Sequence, residues 1–295
     1  MSEIKKVGVV GCGLMGHGIT QVSAQAGYDV VVREVSEDVL AKGLGKIEKQ
    51  LARAVEKGRM EQDDADAVRG RIQGTLDYGD LGDSDLVVEA ITEDLGMKLD
   101  MWRELDGIVK DGAVLATNTS SLSVIDQAVA TKRPNRFIGL HFFNPPQVMP
   151  LLEVVQTVTT DEESLKTGFE FGEKLGKLTV HAKDKTGFIV NRLLVPYLLD
   201  AIRAYEEGVG SIEQIDAAMK AGANHPMGPF TLLDFVGLDT TKSIADIMFD
   251  EYRERRFAAP PTLRKMVSAG FFGRKSGRGF YDYSGEQPQA VDPGL

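Results

Sequence analysis

Val7-Gly8-Val9-Val10-Gly11-Cys12-Gly13-Leu14-Met15-Gly16 is an apolar run that breaks into three glycines spaced G-x-G-x-x-G. A short buried strand that ends in such a turn and opens into a helix is how a doubly wound α/β domain begins. The flanking residues agree. Ile19, Val22 and Ala26 recur at i, i+3 and i+7, small Ser23 fills i+4, and Gly27 stops the helix. Val30-Val31-Val32, within Asp29–Arg33, forms a β-branched second strand that ends at Glu34, 18 residues beyond Gly16. Gly11 permits the tight turn, Gly13 lets backbone approach a pyrophosphate, and Gly16 lets helix pack closely on strand. The phosphates would rest on the unpaired N–H groups at the helix start, and Glu34 would accept the hydroxyls of an adenosine ribose. Gly11, Gly13, Leu14, Met15, Gly16 and Glu34 are therefore the candidate dinucleotide-binding residues.

Working outward, strands and helices alternate. A helix is expected over Glu37–Lys57, a strand over Leu86–Ile91, a helix over Glu93–Val109 and a strand over Val114–Ala116. Two further strands are expected over Phe137–Phe142 and Leu151–Val158. That rhythm predicts a Rossmann-type doubly wound sheet. Beyond Lys183-Asp184-Lys185-Thr186-Gly187 the pattern turns helical, with a long helix over Ile189–Glu207, another capped by Ser211, and two or three more from Thr231. The expected organisation is a dinucleotide-binding domain over residues 1–184, with a helical hairpin insertion near 37–70, and an all-helical domain over 185–295. The tail from Gln287 to Leu295 contains proline, lacks periodicity and is expected to be loose.

Composition narrows the functional classes. The chain has 295 residues, 34 Lys and Arg against 44 Asp and Glu, and a net charge of −10. So acidic a chain lacks the broad positive field that nucleic acid or anionic lipid requires. No apolar run approaches the roughly 18–20 residues that span a bilayer. Cys12 is the sole cysteine, which excludes an internal disulfide and points to a reducing compartment. Met1-Ser2-Glu3-Ile4-Lys5-Lys6 carries an acid where a signal peptide is basic, and no cleavage site follows. A cytoplasmic protein is expected, and no metal site is discernible.

Four stretches carry candidate chemistry. Asn118-Thr119-Ser120-Ser121 follows a strand at the ligand edge of the sheet; helix capping is the alternative reading. His141 ends a strand that Pro145-Pro146 stops. Glu153 lies inside the apolar Leu151–Val155 run, where an unpaired charge is costly. His141 is its candidate partner, and an exposed edge strand is the alternative. Asn191 sits in the first turn of the helix that opens the second domain. A dehydrogenase needs such a set: a base for the hydroxyl proton, a carboxylate behind it, and donors for the substrate oxygen.

Together with Gly273-Arg274-Lys275-Ser276-Gly277-Arg278-Gly279-Phe280-Tyr281, these motifs resemble the L-3-hydroxyacyl-CoA dehydrogenase family, in order from about Lys6 to Tyr283. The shorter bacterial 3-hydroxybutyryl-CoA branch is the nearest in pattern. The resemblance implies that His141 is the general base and Glu153 its partner, with Ser120 and Asn191 contacting the substrate's 3-oxygen region. It implies nicotinamide-ribose contacts at Glu93 and Lys98, which by themselves read as a solvated helical pair. Asn118, Ser120, Asn144 and Lys275 match further cofactor contacts, and Lys57 matches a lysine that meets the phosphates of coenzyme A. A homodimer through the helical domain is likewise implied. Glu34 stands where the family commonly has Asp, and Glu56 lies beside Lys57. NAD is the expected cofactor, because a carboxylate repels a 2′-phosphate; the neighbouring Arg33 keeps NADP open. The alternatives are a sugar-acid dehydrogenase resembling L-gulonate dehydrogenase and lambda-crystallin, and a catalytically silent dinucleotide-binding protein.

Overall fold

The computed structural model describes residues 4–293 and divides into two units, Met1–Phe188 and Ile189–Leu295. Met1-Ser2-Glu3, on which the signal-peptide reading turned, lies outside the described residues, as do the last two residues of the tail.

The first unit is built on eight strands. In chain order they are β1 (Lys6–Val10), β2 (Asp29–Arg33), β3 (Ile72–Thr75), β4 (Leu86–Glu89), β5 (Val114–Thr117), β6 (Phe137–Phe142), β7 (Leu151–Gln156) and β8 (Leu178–Lys183). They lie in the order β3-β2-β1-β4-β5-β6-β7-β8. All neighbours are parallel except β6 and β7, which run antiparallel. Strand order reverses between β1 and β4, so the carboxyl ends of those two strands form the crevice where open α/β sheets bind ligands. Side-chain alternation divides the apolar residues between two faces. Val7, Val9, Val30, Val32, Leu86 and Val88 pack on one side, with Ile19 and Ile47 among the helical residues they meet. Val31, Val87, Leu115 and Phe137 pack on the other, against Met101, Trp102 and Leu105.

The helices of this unit are α1 (Gly16–Gln25), α2 (Glu37–Glu56), α3 (Gln62–Gly70), α4 (Leu95–Asp106), α5 (Val124–Ala128) and α6 (Glu162–Lys174). Ser36 caps α2 by accepting from the Val39 N–H. Sequence periodicity missed α6 and both outer strands. β3 is only four residues long and includes Gly74, and β8 is half exposed, so neither carries an uninterrupted apolar run. The helix expected from Glu93 instead starts at Leu95, because the Asp94 carboxylate accepts from the Met97 N–H at 2.8 Å and caps it there. Glu93 is thereby left in the loop after β4.

The second unit comprises α7 (Val190–Glu206), α8 (Ile212–Gly222), α9 (Pro229–Val236), α10 (Leu238–Tyr252) and α11 (Pro261–Ser268). Ser211 and Gln214 form a reciprocal capping box at the start of α8. Leu198, Leu199, Ile202, Phe230, Leu233, Met248, Phe257 and Phe280 make its core. A two-stranded ribbon, β9 (Tyr281–Asp282) and β10 (Gln289–Ala290), closes the chain. The tail is thus tied down where looseness was expected: Gln289 and Ala290 pair with β9, and the Tyr205 hydroxyl donates to Asp292 at 2.6 Å. Buried Asp234 anchors this region, accepting from the N–H groups of Phe280 and Tyr281.

Candidate active site

The glycine-rich turn shows why each glycine is required. Gly11 has φ +97°, and a Cβ there would lie 2.7 Å from the Ala90 carbonyl oxygen. A Cβ on Gly16 would collide with the Gly11 carbonyl, whereas one on Gly13 would meet nothing within 4 Å. Open space over Gly13, at the start of α1, is the cradle a pyrophosphate fits. Leu14 is exposed and Met15 is the N-cap residue of α1. Glu34 follows β2 directly, beside the turn; its carboxylate accepts from the N–H of Cys12 at 2.6 Å and of Val35 at 2.9 Å. These residues fit the adenosine and pyrophosphate portions of NAD.

Arg33 does not share that site. Its guanidinium lies 3.9 Å from the centroid of the Tyr78 ring, and its Nε donates to the Leu76 carbonyl. Burial, reinforced by the Glu34 charge, pushes the Cys12 thiol up to about 12, so it stays protonated near neutral pH and inert. Burial also lowers His17, whose Nδ1 lies 2.6 Å from the Gly13 carbonyl oxygen and braces the turn.

At the ends of β4 and β5 lies a buried ionic cluster. Lys98 is 1% exposed and Glu89 wholly buried. Lys98 Nζ donates to Glu89 Oε1 at 2.5 Å and stands 3.3 Å from Glu93 Oε2. The solvated-pair reading of Glu93 and Lys98 is therefore wrong: α4 turns Lys98 inward toward a second acid that holds it. Glu93 Oε1 accepts from the Thr119 hydroxyl at 2.5 Å and the Ser120 N–H at 3.0 Å. Burial alone would raise the Glu93 carboxyl, but the Lys98 ammonium and these donors outweigh it and hold it below its ordinary value. Nor do Asn118 to Ser121 cap a helix. Ser123 caps α5, while Asn118 Oδ1 accepts from the Phe142 N–H at 2.9 Å, tying the end of β5 to β6.

The antiparallel register places His141 of β6 directly opposite Glu153 of β7. His141 Nδ1 lies 2.6 Å from Glu153 Oε2, and both residues are buried. β7 is flanked by β6 and β8, so Glu153 does not face water as an edge-strand residue would. A carboxylate accepting at Nδ1 requires the proton there and leaves the Nε2 lone pair available. Phe143 and Phe188 pack on the imidazole, with centroids 4.5 and 5.5 Å away. Asn144 is exposed just beyond, in the turn after β6.

One end of the first unit's sheet thus gathers the glycine turn, Glu34, Glu93, Lys98, Asn118, Ser120, His141 and Glu153. Asn191 and Lys275 belong to the second unit: Asn191 lies in the first turn of α7, and the Lys275 ammonium donates to Asp239 at 2.6 Å. Lys57 is the exposed C-cap residue of α2. Two features escaped the sequence reading. Glu89 ends an apolar strand and carries the same buried-acid signal as Glu153. Lys42, Lys46, Lys49 and Arg53 recur along α2 at i, i+4, i+7 and i+11, forming an exposed cationic stripe that leads to Lys57. Among the described residues no group of three or more His, Cys, Asp and Glu could hold a metal ion, and no helix is long and apolar enough to cross a membrane.

Comparison with known proteins gives a consistent result. Residues 6–185 match the family described as 3-hydroxyacyl-CoA dehydrogenase, NAD binding domain, and residues 187–283 match its C-terminal domain. A 3-hydroxybutyryl-CoA dehydrogenase of Mycobacterium tuberculosis is 50% identical over 282 residues, covering 95% of this chain and 99% of that protein. The mitochondrial hydroxyacyl-coenzyme A dehydrogenase of Homo sapiens is 46% identical over 287 residues, covering 95% and 91%. The crystal structure of (S)-3-hydroxybutyryl-CoA dehydrogenase from Ralstonia eutropha superposes with a TM-score of 0.93 at 38% identity, covering 96% and 100%. With both halves of the chain matched in order, this protein is an NAD-binding member of the 3-hydroxyacyl-CoA dehydrogenase family.

Proposed function

We propose that the chain interconverts 3-hydroxybutyryl-CoA and acetoacetyl-CoA, with NAD as the redox partner. The observation that carries this reading is the buried His141–Glu153 pair, 2.6 Å apart, on the same sheet as the glycine-rich cradle. Bound NAD supplies the hydride acceptor. His141 takes the hydroxyl proton at Nε2, while Glu153 steadies the imidazolium through Nδ1–H. Ser120 and Asn191 donate to the 3-oxygen and to charge that develops on it. Gly11, Gly13, Leu14, Met15, Gly16, Glu34, Glu93, Lys98, Asn118, Asn144 and Lys275 serve the cofactor. Lys57, at the end of the α2 stripe, meets the phosphates of coenzyme A. That stripe supplies a local cationic surface on a chain whose net charge is −10.

We also read residues 1–184 as the cofactor domain and 185–295 as the substrate and dimerisation domain. Exposed apolar Leu193 on α7 and Phe235 on α9 support a homodimer, and sedimentation as a monomer at micromolar concentration would remove that assignment. A single buried cysteine supports a cytoplasmic location, which fractionation of the host cell checks.

The experiment offers the purified protein acetoacetyl-CoA with NADH and, separately, L-gulonate with NAD. Turnover of the first pair alone supports the proposal. Turnover of gulonate alone favours the sugar-acid reading, and turnover of neither favours a silent dinucleotide-binding protein.

A further inference from the structure

Glu89 is a buried acid that the proposed mechanism leaves unused. It ends β4 beside Ala90, whose carbonyl backs the glycine turn, and the parallel register sets it opposite Thr117 of β5. Both carboxylate oxygens are engaged: Oε1 takes the Ile91 N–H at 2.7 Å as well as the Lys98 ammonium at 2.5 Å, and Oε2 takes the Thr117 hydroxyl at 2.6 Å. Lys98 in turn reaches Glu93, and Glu93 holds the backbone of Ser120. Two carboxylates against one ammonium leave the cluster with one net negative charge. Glu89 and Lys98 are out of contact with water, so salt screens the Glu89 charge poorly, whereas Glu93 is exposed at the edge of the cluster. An oxidised nicotinamide ring is cationic and the reduced ring is neutral, so a fixed charge beside the ring distinguishes the two.

We propose that Glu89 is a positioning residue that biases the cofactor site toward oxidised NAD. Through Lys98 it holds Glu93 and the Asn118–Ser121 loop in place, and its charge keeps the cluster net negative. The inference rests on the reading that Glu93, Lys98 and Ser120 serve the nicotinamide end of the cofactor.

The test is calorimetric titration of the full chain with NAD, NADH and 5′-AMP in the absence of acyl-CoA. Glu89→Gln is expected to weaken NAD about 3- to 30-fold more than NADH, as removing one poorly screened charge near a cation should. Binding of 5′-AMP, which engages only the Glu34 end, should be unchanged. A double variant, Glu89→Gln with Lys98→Met, should bind both cofactors more weakly than the parent, because Lys98 serves the site, but it leaves Glu93 as the sole charge, so its NAD-to-NADH ratio should return to that of the parent. Equal weakening of NAD and NADH by Glu89→Gln overturns the proposal, as does a double variant shifted as far as the single one. If Glu89→Gln does not fold, the double variant decides alone: an unchanged ratio supports the proposal and a shifted one overturns it. A parent protein that binds NAD but does not reduce acetoacetyl-CoA would defeat the functional reading while leaving these binding ratios interpretable.

Discussion

Replacing His141 by alanine is expected to lower kcat by about 10²–10⁴, the range for loss of a positioned acid–base group, while NADH binds as before. The affinity is spared because the glycine turn and Glu34 lie at the ends of β1 and β2, with β4 and β5 between β1 and His141 on β6. Glu153→Gln should lower kcat as well, because a neutral amide steadies an imidazolium less well than a carboxylate does. The Glu153 carboxylate is fully buried, so the amide version must still fill the same space beneath the ring. Steady-state kinetics with acetoacetyl-CoA, together with NADH binding measured by fluorescence, check both. Near-normal turnover by His141→Ala would remove the histidine from its assigned role.

NADH should be preferred over NADPH by several-fold to several-hundred-fold in kcat/KM. Two unit charges about 4 Å apart repel by roughly 1 kcal/mol in water and about 4 at an effective dielectric of 20, and each 1.4 kcal/mol is about tenfold. The Glu34 carboxylate supplies the repelling charge, held by the Cys12 and Val35 N–H groups. Arg33, the residue that would relieve that repulsion, is stacked on Tyr78 and bonded to Leu76. Strand alternation sends the two side chains to opposite faces, and their contacts are separate: Arg33 meets Tyr78 and Leu76, Glu34 meets Cys12 and Val35. A clear preference for NADPH would mean that Arg33 leaves Tyr78 and governs the ribose end of the site.

What the sequence made legible were features that signal over a few neighbouring residues. The β1–turn–α1–β2 unit is readable because its glycines, its apolar periodicity and its terminal acid lie within 28 consecutive residues, Val7–Glu34. The candidate partnership of His141 and Glu153 was readable because a buried acid demands a partner and the two strands follow one another in sequence, with only residues 143–150 between them. What stayed hidden depends on tertiary placement. Lys98 is a surface residue by composition and a core residue in fact, because Glu89 waits beneath it. Asn118 resembles a cap by residue type, yet it bonds across the sheet to a strand 24 residues later. β3 and β8 are edge strands whose exposed positions dilute the apolar signal. The tail owes its order to a pairing with β9 that no local pattern announces.

The central claim is that this chain moves a hydride between the nicotinamide and carbon 3 of a short acyl-CoA. Supplying acetoacetyl-CoA with NADH deuterated at both C4 positions, and analysing the product by mass spectrometry, tests that most directly. The account predicts 3-hydroxybutyryl-CoA carrying one deuterium, located at carbon 3. Product lacking the label, or oxidation of the cofactor without formation of that product, would contradict it.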